Sequence, residues 1–291
     1  MKPPSFQYAD PTSLEEALSL LAGCEQGVKI LAGGQSLMPL LNIRHVKPRL
    51  LVDINRVVGF DVLHQDSDGL KIGATVRQRE LEKRPGLSEV NPLLAEALPL
   101  IGHFPTRNRG TVCGSLAHAD SAAELPAVAV TQDAQFTLQR KGSQRVVAAK
   151  RFFKGPHQTI IEPDEMLTQV SFPARRHGDG WSIEHVTRRP GDFAVIGVVA
   201  MLSAAEGACA RARVTVFGTG DAPQRCEQAE KLLEGETLSA KLLEESAAAL
   251  RTEMRVRSDI RATAEYRRLA AGALAYRALA RAAMRAGLWP E

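Results

Sequence analysis

Ile30-Leu31-Ala32-Gly33-Gly34-Gln35-Ser36-Leu37 sets two glycines and a small hydroxyl residue directly after an apolar run, Val28 to Ala32, that reads as a buried strand. Glycine lacks Cβ, so the main chain there can approach a ligand closely and take up positive φ. Successive N–H groups in such a turn make a concave anion site. A second stretch carries the same chemistry: Arg107-Asn108-Arg109-Gly110-Thr111-Val112-Cys113-Gly114-Ser115-Leu116-Ala117-His118-Ala119-Asp120. It follows an apolar segment, Pro92 to Ile101, that reads as a helix. Alone, Gly33-Gly34 is an ordinary strand-end turn. Two such loops could grip one diphosphate from two sides.

The surroundings support a layered α/β start. Thr12-Ser13-Leu14-Glu15-Glu16 has the spacing of a helix N-cap with Glu at the third position. Leu14, Ala17, Leu18 and Leu21 then share a face, and Gly23 can end the helix. With strands at Val28–Ala32 and Leu50–Ile54, residues 1 to 58 read as a small α/β unit. Further on we expect a strand at 69–74, helices at 75–83, 92–101 and 122–130, and a hairpin turning at Lys141-Gly142-Ser143. A strand at 166–172 is stopped by Pro173, and the polar run Arg175 to Gly180 reads as a linker. Beyond it lie strands near 181–187 and 212–217, with the apolar stretch 193–205 between them. Helices follow at about 223–233, 240–253 and 263–286.

Composition is that of an ordinary globular chain, 44% hydrophobic and 24% charged, with net charge +4. No run approaches the roughly 20 apolar residues needed to span a bilayer, so we expect no membrane span. Met1-Lys2-Pro3-Pro4-Ser5 lacks the apolar core of a secretory signal, which suggests a cytoplasmic protein. Cys24, Cys113, Cys209 and Cys226 form no CxxC pair, so no metal or iron–sulfur site is expected on this chain. The mild positive charge suits an anionic dinucleotide or an acidic partner and does not call for nucleic acid.

Ala32-Gly33-Gly34-Gln35-Ser36-Leu37 followed by Pro39 resembles the first FAD loop of the medium subunits of the xanthine dehydrogenase and carbon monoxide dehydrogenase group, the molybdenum hydroxylases. The stretch Arg107 to Asp120, continued by Ala122-Ala123-Glu124-Leu125-Pro126, resembles the second. Arg188-Arg189-Pro190-Gly191-Asp192-Phe193-Ala194 and Gly218-Thr219-Gly220-Asp221-Ala222-Pro223-Gln224-Arg225 are similar to two further motifs, all in the family's order. The resemblance implies an α+β fold. Two α/β subdomains, about 1–58 and 59–175, form an FAD-binding domain of PCMH type, and residues 178–291 form a C-terminal α+β domain with a three-stranded antiparallel sheet and helices. It implies FAD on this chain, with a molybdenum cofactor on a large partner and two [2Fe–2S] clusters on a small one, the whole a dimer of heterotrimers. The flavin would collect electrons from the clusters and pass them to NAD⁺, a quinone or oxygen.

Carried onto this chain, the resemblance implies that Leu31, Ala32, Gly33, Gly34, Gln35, Ser36 and Leu37 hold one side of the cofactor. Gly110, Thr111, Cys113, Gly114 and Ser115 would hold the other, and Ile101, Gly102 and Leu167 would touch flavin or adenine. His118 and Asp120 would border the flavin, and Glu124 would contact the ribityl chain. No acid–base role is expected of His118, because the redox chemistry belongs to the flavin. Cys113 departs from the Gly-Gly of many members, and we expect its thiol to be a packing group. Gly218-Thr219-Gly220 sits where a Rossmann fingerprint would, but Pro223 replaces the third glycine. Arg267, Arg268, Arg277, Arg281 and Arg285 read as the solvated face, or a subunit contact, of an amphipathic helix. Two rival readings stand beside the flavoprotein subunit: a stand-alone FAD oxidoreductase, and a non-enzymatic adaptor using that basic helix.

Overall fold

The computed structural model describes residues 1–23 and 27–289, so Cys24 lies outside the described residues. Ser13 caps the first helix, Leu14–Ala22, by accepting the Glu16 N–H at 3.2 Å, and Ala17, Leu18 and Leu21 are its buried face. The helix packs on a parallel three-stranded sheet in which Leu50–Asp53 lies between Gln7–Ala9 and Val28–Leu31. The N-terminal strand was not expected: three residues with a half-exposed pattern carry no periodic signal.

The second subdomain is an antiparallel sheet of five strands, ordered Leu63–Asp66, Gly69–Gly73, Met166–Pro173, Gln135–Arg140, Ser143–Ala148. Its hairpin turns at Gly142, as expected, with φ of 74°. The predicted helix at 92–101 ends as α-helix at Ala97 and continues as a 3₁₀ turn, Leu98–Leu100, because Pro99 cannot supply an N–H.

The C-terminal sheet has three long antiparallel strands, Asp179–Val186, Ile196–Ala205 and Ala208–Phe217, and a two-residue fourth, Gln224–Arg225, at its edge. That short strand occupies the start of the expected 223–233 helix, which begins instead at Glu227. The apolar stretch 193–205 shows no alternation because its strand is buried on both faces. Val199 joins the core of the N-terminal half, while Val198 and Ala200 face the helices Ala240–Glu253 and Ala264–Arg285. The expected linker is also shorter than read. Asp179 already belongs to the strand, is buried, and accepts the Arg176 N–H at 2.8 Å.

Between the five-stranded and C-terminal sheets lies the helix Glu124–Thr131, all eight of whose residues are buried. A helix apolar around its whole circumference is buried on all sides. Ile183, Ala194, Val199 and Phe217 of the C-terminal half complete the core around it. At the rim Asp133 accepts hydrogen bonds from Arg211, Arg213 and Arg225 at 2.6, 3.1 and 3.1 Å.

On the last helix Arg268, Arg277, Arg281 and Arg285 are exposed, as expected of a solvated face, and Arg267 is the buried exception. Arg267 is 1% exposed; its guanidinium donates to both Asp259 carboxylate oxygens (2.7 and 2.8 Å) and to the carbonyls of Val195 and Arg257. Arg277 and Arg281 grip the buried Glu184, and Arg285 reaches Glu96 and the Trp181 carbonyl. Only Arg268 of the five points outward without such a bond among the described residues. No helix of the described residues is long and apolar enough to cross a membrane.

Candidate functional site

The two glycine-bearing stretches touch. A Cβ on Gly33 would lie 2.5 Å from the Arg109 carbonyl oxygen, 2.7 Å from Gly110 Cα and 2.9 Å from Thr111 N, so only glycine lets the first loop lie against the second. Gly34 has φ of 73°, the left-handed region that turns the chain into the helix Leu37–Asn42. Among the described residues, no protein acceptor takes the N–H of Gly33, Gly34, Gln35 or Ser36. These groups form an open row of donors, the arrangement that an anionic group satisfies.

The second stretch, expected as a loop, folds into two short helices, Phe104–Arg109 and Val112–His118. Thr111 Oγ1 accepts the Gly114 N–H at 3.0 Å and so caps the second of them. The Gly114 N–H is thus used within the chain, and its lack of Cβ makes room for the Thr111 hydroxyl, which a side chain would meet at 2.5 Å. The Ser115 N–H is likewise taken, by the Thr111 carbonyl, leaving its hydroxyl. Cys113 faces inward. Its thiol is 2% exposed, lies 3.6 Å from the carbonyls of Ile72 and Gly73, and is pushed up to about 12 by burial. Only its backbone can serve a ligand.

Two residues that the sequence reading did not single out tie the loops together. Asn55 donates to the Ala32 carbonyl at 2.9 Å, and Arg77 donates to both Asn55 Oδ1 and the Arg109 carbonyl, the latter at 2.6 Å. Burial, and then the nearby charge of Arg109, hold Arg77 below the ordinary arginine range. A third is Arg107, buried against Glu82 at 2.8 Å, whose guanidinium fastens the carbonyls of Ile101 and Gly102. The remaining motifs converge on the same region. A Cβ on Gly191 would meet the His103 ring at 2.6 Å, and the Gly218 N–H donates to the Ser121 carbonyl at 2.7 Å. Gly218-Thr219-Gly220 is therefore a tight turn of the C-terminal half, not a nucleotide loop: the buried Thr219 hydroxyl accepts from Gln224.

Past the second helix, His118, Asp120 and His157 bring their ring and carboxylate atoms within 4.8 Å of one another. His157 was also missed; it comes from a distant turn, held by its N–H to the Ala119 carbonyl at 2.8 Å. Burial first, then His157, lower His118. Glu124, one turn further, is 3% exposed, and burial pushes its carboxyl up to about 8. Leu167 is a core residue of the five-stranded sheet, paired with Leu138, and Ile101 packs half-buried on that core.

Residues 4–175 match the family model described as the FAD binding domain in molybdopterin dehydrogenase, and residues 181–282 match the CO dehydrogenase flavoprotein C-terminal domain. The chain belongs to this family. It is 40% identical to the 6-hydroxypseudooxynicotine dehydrogenase complex subunit alpha of Paenarthrobacter nicotinovorans, over 98% of this chain and 97% of that protein. It is 37% identical to the caffeine dehydrogenase subunit beta of Pseudomonas sp. (strain CBB1), with the same coverage. Among solved structures, a chain of carbon monoxide dehydrogenase from Hydrogenophaga pseudoflava superposes with a TM-score of 0.95 at 33% identity, covering 98% of this chain and 99% of that one.

For a molybdenum-hydroxylase flavoprotein subunit, the site fits an FAD. The row of open N–H groups at Gly33 to Ser36 suits a pyrophosphate, and the buried Glu124 offers a carboxyl to sugar-alcohol hydroxyls.

Proposed function

We propose that this chain is the flavoprotein subunit of a molybdenum hydroxylase complex. Its FAD takes up electrons that arrive singly from [2Fe–2S] clusters on a small partner and delivers them in pairs to an external acceptor: NAD⁺, a quinone or oxygen. A large partner with the molybdenum cofactor oxidises the substrate. In our reading the complex is a cytoplasmic dimer of heterotrimers, and this chain divides into an FAD-binding part, 1–175, and a C-terminal part, 178–291.

The observation that carries the reading is the contact of Gly33 with Arg109–Thr111. Two motifs far apart in sequence meet where only backbone fits, beside donors without acceptors. We assign Leu31 to Leu37 to one side of the pyrophosphate. Gly110, Thr111 and Ser115, with the backbone of Cys113, serve the other. Gly114 shapes that side without donating. His118, Asp120 and Glu124 line the polyol, and Ile101, Gly102 and Leu167 support the rings. The protein's share of the work is to hold, orient and desolvate the cofactor.

For the substrate of the whole complex we favour an N-heterocycle. The relatives named for caffeine and nicotine are 37% and 35% identical, against 32% for those named for carbon monoxide.

The test is anaerobic. The purified chain should carry or bind FAD, move electrons between a nicotinamide and a dye, and leave N-heterocycles, aldehydes and carbon monoxide untouched. Co-expression with its two partners should restore substrate oxidation. Flavin bleaching by a substrate in the metal-free single chain would instead establish a stand-alone oxidoreductase.

A further inference from the structure

His185 belongs to the strand Asp179–Val186 of the C-terminal sheet, yet it faces the helix Glu124–Thr131 of the FAD-binding half. Its Nδ1 is buried, has no hydrogen-bond partner among the described residues, and stands 3.9 Å from Glu124 Oε1. A buried polar nitrogen without a partner is costly, and it is uncommon in a well-packed interior. Here it sits opposite a carboxyl that is itself almost fully buried, supplied by the other half of the chain.

Burial acts oppositely on the two groups. It raises Glu124 to about 8 and lowers His185 below the ordinary imidazole value. At pH 7 the carboxyl therefore holds its proton and the imidazole is neutral. The surrounding charges are few. Asp120 acts to raise Glu124, with His118 and His157 clustered around it; Glu184 acts to raise His185 but is itself gripped by Arg277 and Arg281 on the opposite face of the strand. A neutral acid accepts polyol hydroxyls through one oxygen only, where a carboxylate accepts through both and more strongly. A lone carboxylate in this seam would be poorly solvated.

We propose that His185 is a positioning residue of the flavin site: it takes the Glu124 proton when FAD binds, so that Glu124 accepts the polyol hydroxyls as a carboxylate paired across the domain seam. The step balances within the protein. The carboxyl O–H bond breaks, an Nδ1–H bond forms, and no proton enters or leaves. The inference rests on the assignment of Glu124 to the polyol made above.

Its signature is a pH profile. FAD affinity of the full-length apo-chain, followed by quenching of flavin fluorescence, should be flat over the neutral range. In His185→Gln the proton has no internal acceptor and must go to solvent, so affinity should fall about tenfold for each pH unit below about 8. The double variant His185→Gln/Glu124→Gln should be flat again, because the amide has no proton to lose. A merely structural His185 would shift the whole curve without changing its slope. On the unsubstituted chain at pH 7, the His185 ring ¹⁵N signals should move from the neutral to the imidazolium pattern when FAD is added, a readout independent of how well the variants fold. A flat His185→Gln profile, a slope that survives in the double variant, or an imidazole that stays neutral overturns the inference. A wild-type chain that binds no FAD at any pH overturns the Glu124 assignment and this inference with it.

Discussion

Gly33, Gly34, Cys113 and Glu124 show how differently single residues serve one site. Gly33 is the tight position. A Cβ there sits 2.5 Å from a carbonyl oxygen, so Gly33→Ala forces the two loops apart. We expect the purified Gly33→Ala chain to lose at least about nine-tenths of its flavin while keeping its far-ultraviolet spectrum, as a β-carbon in a close backbone approach requires. Gly34→Ala meets only side-chain atoms at 3.3 Å but must hold φ of 73°. It should cost about 1 kcal/mol of stability and retain more flavin than Gly33→Ala. Cys113, raised to about 12, should resist thiol reagents in the native chain at pH 8 and react only on unfolding. Fast native labelling would return it to the list of redox candidates. Glu124 makes a pH prediction for the apo-chain. Its folded value lies above the ordinary 4.5, so ionisation favours the unfolded state. Stability should therefore fall as pH rises from about 4.5 to about 8 and level off above, by an amount on the order of 5 kcal/mol. Relative to wild type, Glu124→Gln should gain stability over that window in denaturant titrations. Equal pH dependence in the two would show that the carboxyl is not desolvated.

At the scale of elements, the last helix carries a water-facing arginine stripe with one buried exception, Arg267. Most of these arginines also pair with carboxylates on neighbouring elements. Their long stems cross apolar surface before the guanidinium finds its partner. Arg267 and Arg268, adjacent in sequence, should therefore behave oppositely. Arg267→Met leaves two backbone carbonyls and Asp259 without their donor and should cost about 3 kcal/mol, while Arg268→Ala should stay within about 0.5 kcal/mol. Urea midpoints of the two variants decide it, and equal losses would restore the solvated-face reading. The second motif is the complementary case. Its glycines concealed two short helices, because one cap bond from Thr111 to Gly114 leaves no periodic trace in seven residues.

For the whole molecule, the proposed site is a seam rather than a pocket within one domain. The first sheet brings Gly33, the antiparallel subdomain brings Thr111 and Glu124, and the C-terminal sheet brings Gly191, Gly218 and His185. Ile183, Val199 and Phe217 share a core with the FAD side. A chain ending at Arg175 would expose that core and remove His185. We expect it to aggregate or to bind FAD far more weakly than the full chain, as measured by size exclusion and fluorescence titration. A soluble fragment with full FAD affinity would show that the C-terminal half contributes nothing to the site.

Much of this was legible without coordinates. The capped first helix, the strand before Gly33-Gly34, the Gly142 hairpin and the outer two of the three long C-terminal strands follow from periodicity and from residues with narrow conformational preferences, which act locally; the middle strand, buried on both faces, read only as an apolar stretch. The first two motifs were legible too, since glycine beside small hydroxyl residues has a chemical meaning on its own; the other two stood out only by the resemblance to the family. Three features depended on tertiary structure: which N–H groups stay open, which arginines are buried, and that Asn55, Arg77, His157 and His185 lie against the proposed site residues. Those properties arise from contacts between segments far apart in sequence. Burial, hydrogen-bond satisfaction and the shift of an ionisable group are set by what packs against a residue, and no local pattern records that.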